Sequence, residues 1–326
     1  LFYIFIVLSL TNGTTYQEKT MSEKKLSPIV LFVYNRPEAT EKTLQALSAC
    51  HLADKSELFI FADGAKKGAS SEQLEKINRT RHVIRAQKWC ASVTIAESDV
   101  NRGLAASVIA GVSGIMEKFG RAIVLEDDIV CEKSFLTYMN GALDFYEKNE
   151  NVWSIAGFSP LLFSTARLKS DVYAGYRASS WGWATWQNRW SKVDWSVADY
   201  AEFMEDKGRQ ARFNRGGSDM TNLLSMQMRG ECDSWAIRWC YQQFKENAIT
   251  IFPKKPQAKN IGFENDGTHS RKSILQILKT KTAEYTEPIR FEDCRIDEKI
   301  MGEMLRLYSP SLLDRLLLVL ARVVLW

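Results

Sequence analysis

The sequence predicts an α/β fold, a doubly wound and mostly parallel sheet with helices on both faces. Three observations lead there. Short apolar runs alternate with helix-length segments from residue 28 to residue 158. Strands joined by crossovers of that length pair in parallel, with right-handed connections. Polar residues collect immediately after each apolar run, where such sheets bind ligands.

The elements follow in order. Residues 29–34 (IVLFVY) read as a buried strand, closed by Asn35-Arg36-Pro37. Residues 38–50 place Leu44, Ala46 and Leu47 at helical spacing. A second strand, 58–62 (LFIFA), stops at Asp63-Gly64, and a polar helix runs from there to about Trp89. A third strand, 93–96, leads through Asn101-Arg102-Gly103 into an Ala/Ile/Val helix over 104–119. A fourth, 121–125 (RAIVL), ends in Glu126-Asp127-Asp128. A helix over 133–148 and a strand over 152–158 complete the alternation, which gives way beyond 160 to a region rich in Trp, Gly and Arg.

Composition narrows the function. The 326 residues carry 43 Lys and Arg against 39 Asp and Glu, a net charge of +4, with 45% hydrophobic and 25% charged residues. Those values fit an ordinary globular protein and exclude a disordered chain or a polytopic membrane protein. No basic run is long enough to track a nucleic-acid backbone. Cys50, Cys90, Cys131, Cys232, Cys240 and Cys294 contain no CxxC pair, so buried free thiols in a reducing, cytoplasmic setting are expected. His51, His82 and His269 lack zinc-site spacing. The opening LFYIFIVLSL has no basic residue before it, and Met21 begins an ordinary cytosolic start. Residues 1–27 are therefore expected to be an extension outside the fold, a degenerate signal or anchor being the other reading. Residues 301–326 read as an amphipathic C-terminal helix. Within it, 311–326 (SLLDRLLLVLARVVLW) suits either a closing helix on the core or peripheral contact with a membrane.

Three adjacent carboxylates repel one another, so a cation is their natural neutraliser. Hard oxygen ligands suit Mg²⁺ or Mn²⁺, usually through one or two carboxylates and substrate phosphates. In extended backbone Glu126 and Asp128 would face one side and Asp127 the other. The first loop, Tyr34-Asn35-Arg36-Pro37, is neither GxGxxG nor GxxxxGK[ST]. This disfavours a dinucleotide dehydrogenase, a P-loop NTPase and, less strongly, a sugar-phosphate nucleotidyltransferase.

The ordered set IVLFVYNRP, LFIFADG, NRGLAAS, IVLEDD, VWSIAGF, SSWGWATW and CDSWAIRW resembles the GT-A class of nucleotide-sugar glycosyltransferases. Within that class it is similar to the N-acetylglucosaminyltransferase I family and its bacterial family 2-like relatives. The resemblance implies a nucleotide-sugar half at 28–158 and an acceptor-side α+β half at 159–300. It implies a UDP-sugar donor, Mn²⁺ or Mg²⁺, an inverting transfer of GlcNAc or another hexose, and a glycan or lipid-linked acceptor. By the resemblance Arg36 touches the nucleotide, Asp63 pairs with the uracil ring, and Asn101 or Arg102 faces the nucleotide. Glu126 sits by the ribose, Asp128 ligates the metal, and Asp127 completes the nucleotide-side triplet. Arg36 as a local cap and Asp63 as a turn residue are the structural alternatives.

Five tryptophans fall between 181 and 195. Trp packs flat on sugar rings with its N–H bonded, so Trp181 or Trp183, flanking Gly182, is expected to line the sugar site, against a buried aromatic brace as the alternative. Inversion needs a carboxylate to take the acceptor proton. The family's Asp-Asp-Trp reads Asp233-Ser234-Trp235 here, so Asp233 is the candidate base and Glu231 the fallback. Asp233 as a helix N-cap is the structural alternative. The resemblance also implies that His269, in a Gly-containing loop, sits on a lid over the pyrophosphate or metal, an ordinary surface loop being the alternative. Two other functions stay open: a carbohydrate-binding or membrane-associated module with catalysis lost, and the nucleotidyltransferase.

Overall fold

The computed structural model describes residues 25–262, 281–293 and 295–309. An eight-stranded sheet organises them, in the order β3-β2-β1-β4-β8-β6-β9-β7. Its first half is β1 (Ile29–Val33), β2 (Glu57–Ala62), β3 (Ser92–Glu97) and β4 (Arg121–Glu126), all parallel. These are the four strands expected from the apolar runs. β8 (Trp183–Trp186) lies antiparallel between β4 and β6 (Val152–Ala156). β9 (Ile249–Pro253) runs parallel to β6, and β7 (Val172–Gly175) closes the edge antiparallel to β9. A separate two-stranded ribbon pairs β5 (Ile129–Cys131) with β10 (Ala258–Asn260).

The sheet is covered on both faces, and strand alternation decides which residue goes where. Ile29, Leu31 and Val33 of β1, with Ile123 and Leu125 of β4, join one core. Val30 and Phe32, with Ala122 and Val124, join the other. The first core is covered by α1 (Pro37–Ser48), α2 (Ser71–Arg85) and α4 (Phe135–Tyr146) through Leu44, Leu47, Ile84 and Phe135. The second is covered by α3 (Leu104–Phe119), which follows Gly103. Each helix start has a local cause. Pro37 occupies the first position of α1, where its missing N–H is no loss. Ser70 and Gln73 form a reciprocal capping box on α2.

Beyond β8 the chain builds a helical layer. It comprises α5 (Gln187–Trp190), α6 (Tyr200–Glu205), α7 (Lys207–Phe213), α8 (Met220–Met228) and α9 (Trp235–Lys245). Phe203, Phe213, Leu224 and Tyr241 form its own core. α9 joins this layer to the sheet, because Trp235 and Trp239 pack with α3 while Ile237 and Tyr241 face the helices. α10 (Glu298–Leu307) buries Ile300, Met301 and Met304 against Tyr173 and Phe252 on the β7–β9 edge.

Several expectations are corrected. Residues 25–27 of the expected N-terminal extension belong to the fold, since Ser27 is buried and its N–H donates to Asn140 Oδ1 at 2.8 Å. The C-terminal helix spans Glu298–Leu307 rather than starting at 301, and it packs on the core through Ile300, Met301 and Met304. Segment 311–326, His269 and Cys294 lie outside the described residues. Cys50, Cys90, Cys131, Cys232 and Cys240 are free thiols as expected, although Cys232 is only half-buried. Among the described residues no helix is long and apolar enough to cross a membrane.

The tryptophan run divides. Trp183 is 1% exposed and stacks on Trp235 at 4.7 Å and Trp190 at 5.5 Å, so it is a core residue and not a sugar platform. β8 is buried on both faces, and Trp183 falls on the face that joins the second core. Gly182, at φ +68°, is the turn before β8. The group approaching it is the core ring of Phe135, 3.1 Å from where a Cβ would sit. Trp183→Ala should therefore lower unfolding free energy by about 3–5 kcal/mol in urea titrations, and Trp181→Ala by well under that; equal losses would contradict the division.

Candidate active site

The strand order reverses at β1, whose neighbours are β2 and β4, and a crevice opens there beyond the carboxyl ends of the strands. A cavity of about 700 Å³ occupies it. Each of the four strands in the parallel first half contributes its end: Tyr34 to Arg36 after β1, Asp63 after β2, Glu97 and Ser98 at β3, Glu126 to Asp128 at β4. Asn101, Arg102 and Gly103 add the entry to α3, Trp181 and Asp233 come from the second half, and Asn260 from β10.

Of the residues singled out from sequence, Arg36, Asp63, Asn101, Arg102, Glu126, Asp127, Asp128, Trp181 and Asp233 line this one cavity. Gly182, Trp183 and Glu231 do not. Glu231 is exposed and pairs with Arg229 at 2.6 and 3.0 Å, which removes it as the fallback base.

The acidic triplet is a turn and not a strand. β4 ends at Glu126, and residues 127–128 reverse the chain into β5. The expected alternation therefore stops at Glu126, and all three carboxylates reach the cavity wall. Thr43 Oγ1 donates to the Asp127 carbonyl at 3.0 Å, and the Ile261 N–H to that of Asp128 at 2.9 Å, fixing the turn from both sides. Arg36 does not cap α1. Its Nη1 lies 2.7 Å from Asp128 Oδ2 and 3.5 Å from Asp127 Oδ1. The other oxygen of Asp128, Oδ1, is buried and has no hydrogen-bond partner among the described residues.

Charge is the dominant property of the cavity. Glu97 is paired by Arg81 and Arg85. The remaining carboxylates on the wall are Asp63, Glu126, Asp127, Asp128 and Asp233, against Arg36, Lys66 and Arg102. Burial, reinforced by Asp128 and Asp127, pushes the Glu126 carboxyl up to about 8. Burial pushes Asp127 up to about 7, against the opposing pull of Arg36. Among the described residues no group of three His, Cys, Asp or Glu side chains is arranged to hold a metal ion alone. One buried, half-satisfied carboxylate is a different arrangement. Asp128 Oδ1 fits a cation whose remaining ligands are substrate phosphates and water, the usual mode for Mg²⁺-type ions.

Two carboxylates frame the start of α3. Asp63 accepts from the N–H groups of Gly64 (3.0 Å), Arg102 (3.0 and 3.1 Å) and Gly103 (3.2 Å). Asn101 Nδ2 returns a bond to the Gly64 carbonyl at 3.0 Å. Asp63 thus clamps the loops after β2 and β3 together, and most of its acceptor capacity is filled by backbone. Asp233 Oδ2 accepts from the Ala105 N–H at 3.1 Å, in the first turn of α3. Gly103, at φ +80°, leaves room for it, since a Cβ there would sit 3.1 Å from Asp233 Oδ2. Asp233 does not cap its own helix; Ser234 does, accepting from the Ile237 N–H at 3.3 Å. Trp181 is half-buried, its ring edge-on to Phe158 at 4.6 Å.

Sequence reading missed Lys66, Asn260 and the contact between Trp235 and the Glu126 carboxylate. Lys66 follows Asp63 by three positions and was legible from the strand-end rule. Asn260 carried no signal, because it reaches the cavity through the pairing of two three-residue strands.

No family model matches the chain. Among curated proteins it is similar to an alpha-1,3-mannosyl-glycoprotein 2-beta-N-acetylglucosaminyltransferase of Arabidopsis thaliana, 21% identical over 333 aligned positions that cover 85% of this chain. The match spans 66% of that protein, just under two thirds of its length. That relative is of the N-acetylglucosaminyltransferase kind that the sequence motifs resemble. Solved structures similar to the chain include an active-site mutant of LgtC, 11% identical, covering 85% of this chain and 94% of that one with a TM-score of 0.37. Residues 1–349 of TarS from S. aureus are 8% identical, covering 86% and 70% with a TM-score of 0.38. UDP-glucose pyrophosphorylase complexed with UDP-glucose is 10% identical, covering 78% and 97% with a TM-score of 0.38.

The raised Glu126 carboxyl gives a pH prediction. Its folded-state value lies above its unfolded value, so the folded state binds the extra proton and stability is lost as pH rises from the ordinary carboxylate range through about 8. In EDTA, Glu126→Gln should melt near wild type at pH 5 and above it at pH 9; a difference that does not grow with pH would contradict the burial of this charge.

Proposed function

We propose that the chain is a metal-dependent inverting glycosyltransferase, moving GlcNAc or another hexose from a UDP-sugar to a hydroxyl of a glycan or lipid-linked acceptor. The observation that carries this reading is the convergence, at the switch point of a parallel sheet, of Arg36, a buried acidic turn and Asp233 around one cavity. The volume suits a nucleotide-sugar, and the excess of carboxylates suits a donor that arrives with a divalent cation. The similarity to an N-acetylglucosaminyltransferase favours GlcNAc.

The roles follow from position. Asp128 would hold the cation through Oδ1, which has no hydrogen-bond partner among the described residues. A bound cation would neutralise the charge that develops on the leaving diphosphate. Arg36, Lys66 and Arg102 supply the protein's own positive charge on the cavity wall. Glu126, at the end of β4, meets the ribose, and the Asp63 clamp shapes the floor on which the base rests. Trp181 offers an apolar edge to the sugar ring.

Asp233 serves as the base. Its Oδ2 is anchored on Ala105, which fixes the carboxylate and leaves Oδ1 to take the acceptor's hydroxyl proton. The freed oxygen attacks the sugar C1, the bond from C1 to the diphosphate breaks, and its electron pair leaves with UDP. Attack opposite the leaving group inverts the anomeric centre.

Incubation with UDP-GlcNAc and Mn²⁺ should release UDP slowly without acceptor. Pyrophosphate formed from UTP and a sugar phosphate would instead identify a nucleotidyltransferase, and glycan binding with neither reaction a non-catalytic module. Asp128→Ala should weaken Mn²⁺-dependent UDP binding by at least about tenfold in calorimetry; unchanged affinity would remove Asp128 from the cation site. Asp233→Asn should keep UDP binding while transfer falls about 10²–10⁴-fold; full activity would move the base elsewhere.

A further inference from the structure

Arg36 is held where the cation is expected to act. Its contacts to Asp128 and Asp127 both come from Nη1, so the pairing is monodentate and does not use the guanidinium fork. The Arg36 side chain remains 54% exposed, whereas that of Asp128 is 9% exposed. The carboxylate is therefore fixed and the guanidinium is the partner able to swing. Pro37 and the first turn of α1 hold the backbone beneath it, with the Thr40 N–H and Oγ1 both on the Arg36 carbonyl. Lys66 and Arg102 line the same cavity, but among the described residues neither forms a salt bridge to the triplet. Removing Arg36 would leave Asp128 buried and unpaired, an unfavourable state for a charge.

A divalent ion at Asp128 Oδ1 would sit beside this guanidinium, and like charges so close repel. We infer that Arg36 is the resident counter-cation of Asp128, and that its release to the donor's phosphates couples divalent-cation binding to nucleotide binding. Without nucleotide the ion must displace Arg36 into solvent, and binds weakly. With nucleotide the guanidinium exchanges one anionic partner for another, and the ion binds tightly. Coupling of this kind is reciprocal, so the ion raises nucleotide affinity by the same factor. The nucleotide half of this inference rests on the proposed function; the counter-ion half stands on the salt bridge alone.

The test counts free Mn²⁺ by its electron paramagnetic resonance signal during titration of the full chain, with and without UDP. Without UDP, Arg36→Gln should bind Mn²⁺ about tenfold tighter than wild type, and Arg36→Lys, which keeps the charge, should stay near wild type. Addition of UDP should raise wild-type Mn²⁺ affinity about tenfold or more, and that of Arg36→Gln by much less. If Arg36→Gln binds no tighter than wild type without UDP, the counter-ion role is overturned, whatever UDP does. If Arg36→Gln tightens Mn²⁺ binding but UDP changes nothing in wild type, the counter-ion role holds and the coupling fails, together with the nucleotide reading on which it depends.

Discussion

Three buried carboxyl groups at residues 126–128 cannot all ionise beside the single guanidinium of Arg36, and most of the site is arranged about that constraint. The backbone carbonyls of the turn are held by the Thr43 hydroxyl of α1 and by the Ile261 N–H after β10, which fixes where its side chains start. Glu126 and Asp127 respond by holding protons well above the usual carboxylate range, and Asp128 recruits Arg36. A buried cluster of this kind costs stability in the free protein. Binding sites commonly carry such strain, because the ligand relieves it and so gains affinity.

The second constraint is mechanical. Asp63 and Asp233 grip the same short stretch, one taking the amides of Arg102 and Gly103, the other that of Ala105. The loops after β2 and β3 and the Asp233 segment of the second half thus meet on one element, the first turn of α3. Trp235 strengthens the link, stacking on Trp183 one residue beyond Ser234. In Asp233-Ser234-Trp235 the two ends have distinct work: the tryptophan anchors α9 in the core, and Asp233 reaches the cavity.

Much of this was legible in the sequence, for identifiable reasons. Buried parallel strands are continuous apolar runs, and their ends are marked by the sudden arrival of Asn, Asp, Glu and Arg, so β1 to β4 and the cavity wall could be read together. What escaped depended on partners distant in sequence. β8 inserts antiparallel between β4 and β6, and β5 with β10 forms a ribbon from six residues, too short for any period to register. The tryptophans mislead because one chemistry serves two purposes: composition cannot distinguish Trp181 at the cavity from Trp183 in the core, and the left-handed turn at Gly182, which leaves Trp181 outside β8, separates them. Arg36 lines the cavity, but its engagement with Asp128 is a tertiary contact that no local pattern encodes.

The central claim is that Asp128, at the end of β4, is where cation and diphosphate meet. A crystal structure grown with UDP and Mn²⁺, with data collected at the manganese absorption edge, addresses it directly. The account predicts an anomalous peak against Asp128 Oδ1, the two phosphates on its far side, and the Arg36 guanidinium moved off Asp128 toward them. Nucleotide bound elsewhere, or bound in the cavity with no manganese peak and the Arg36–Asp128 pair intact, would contradict it.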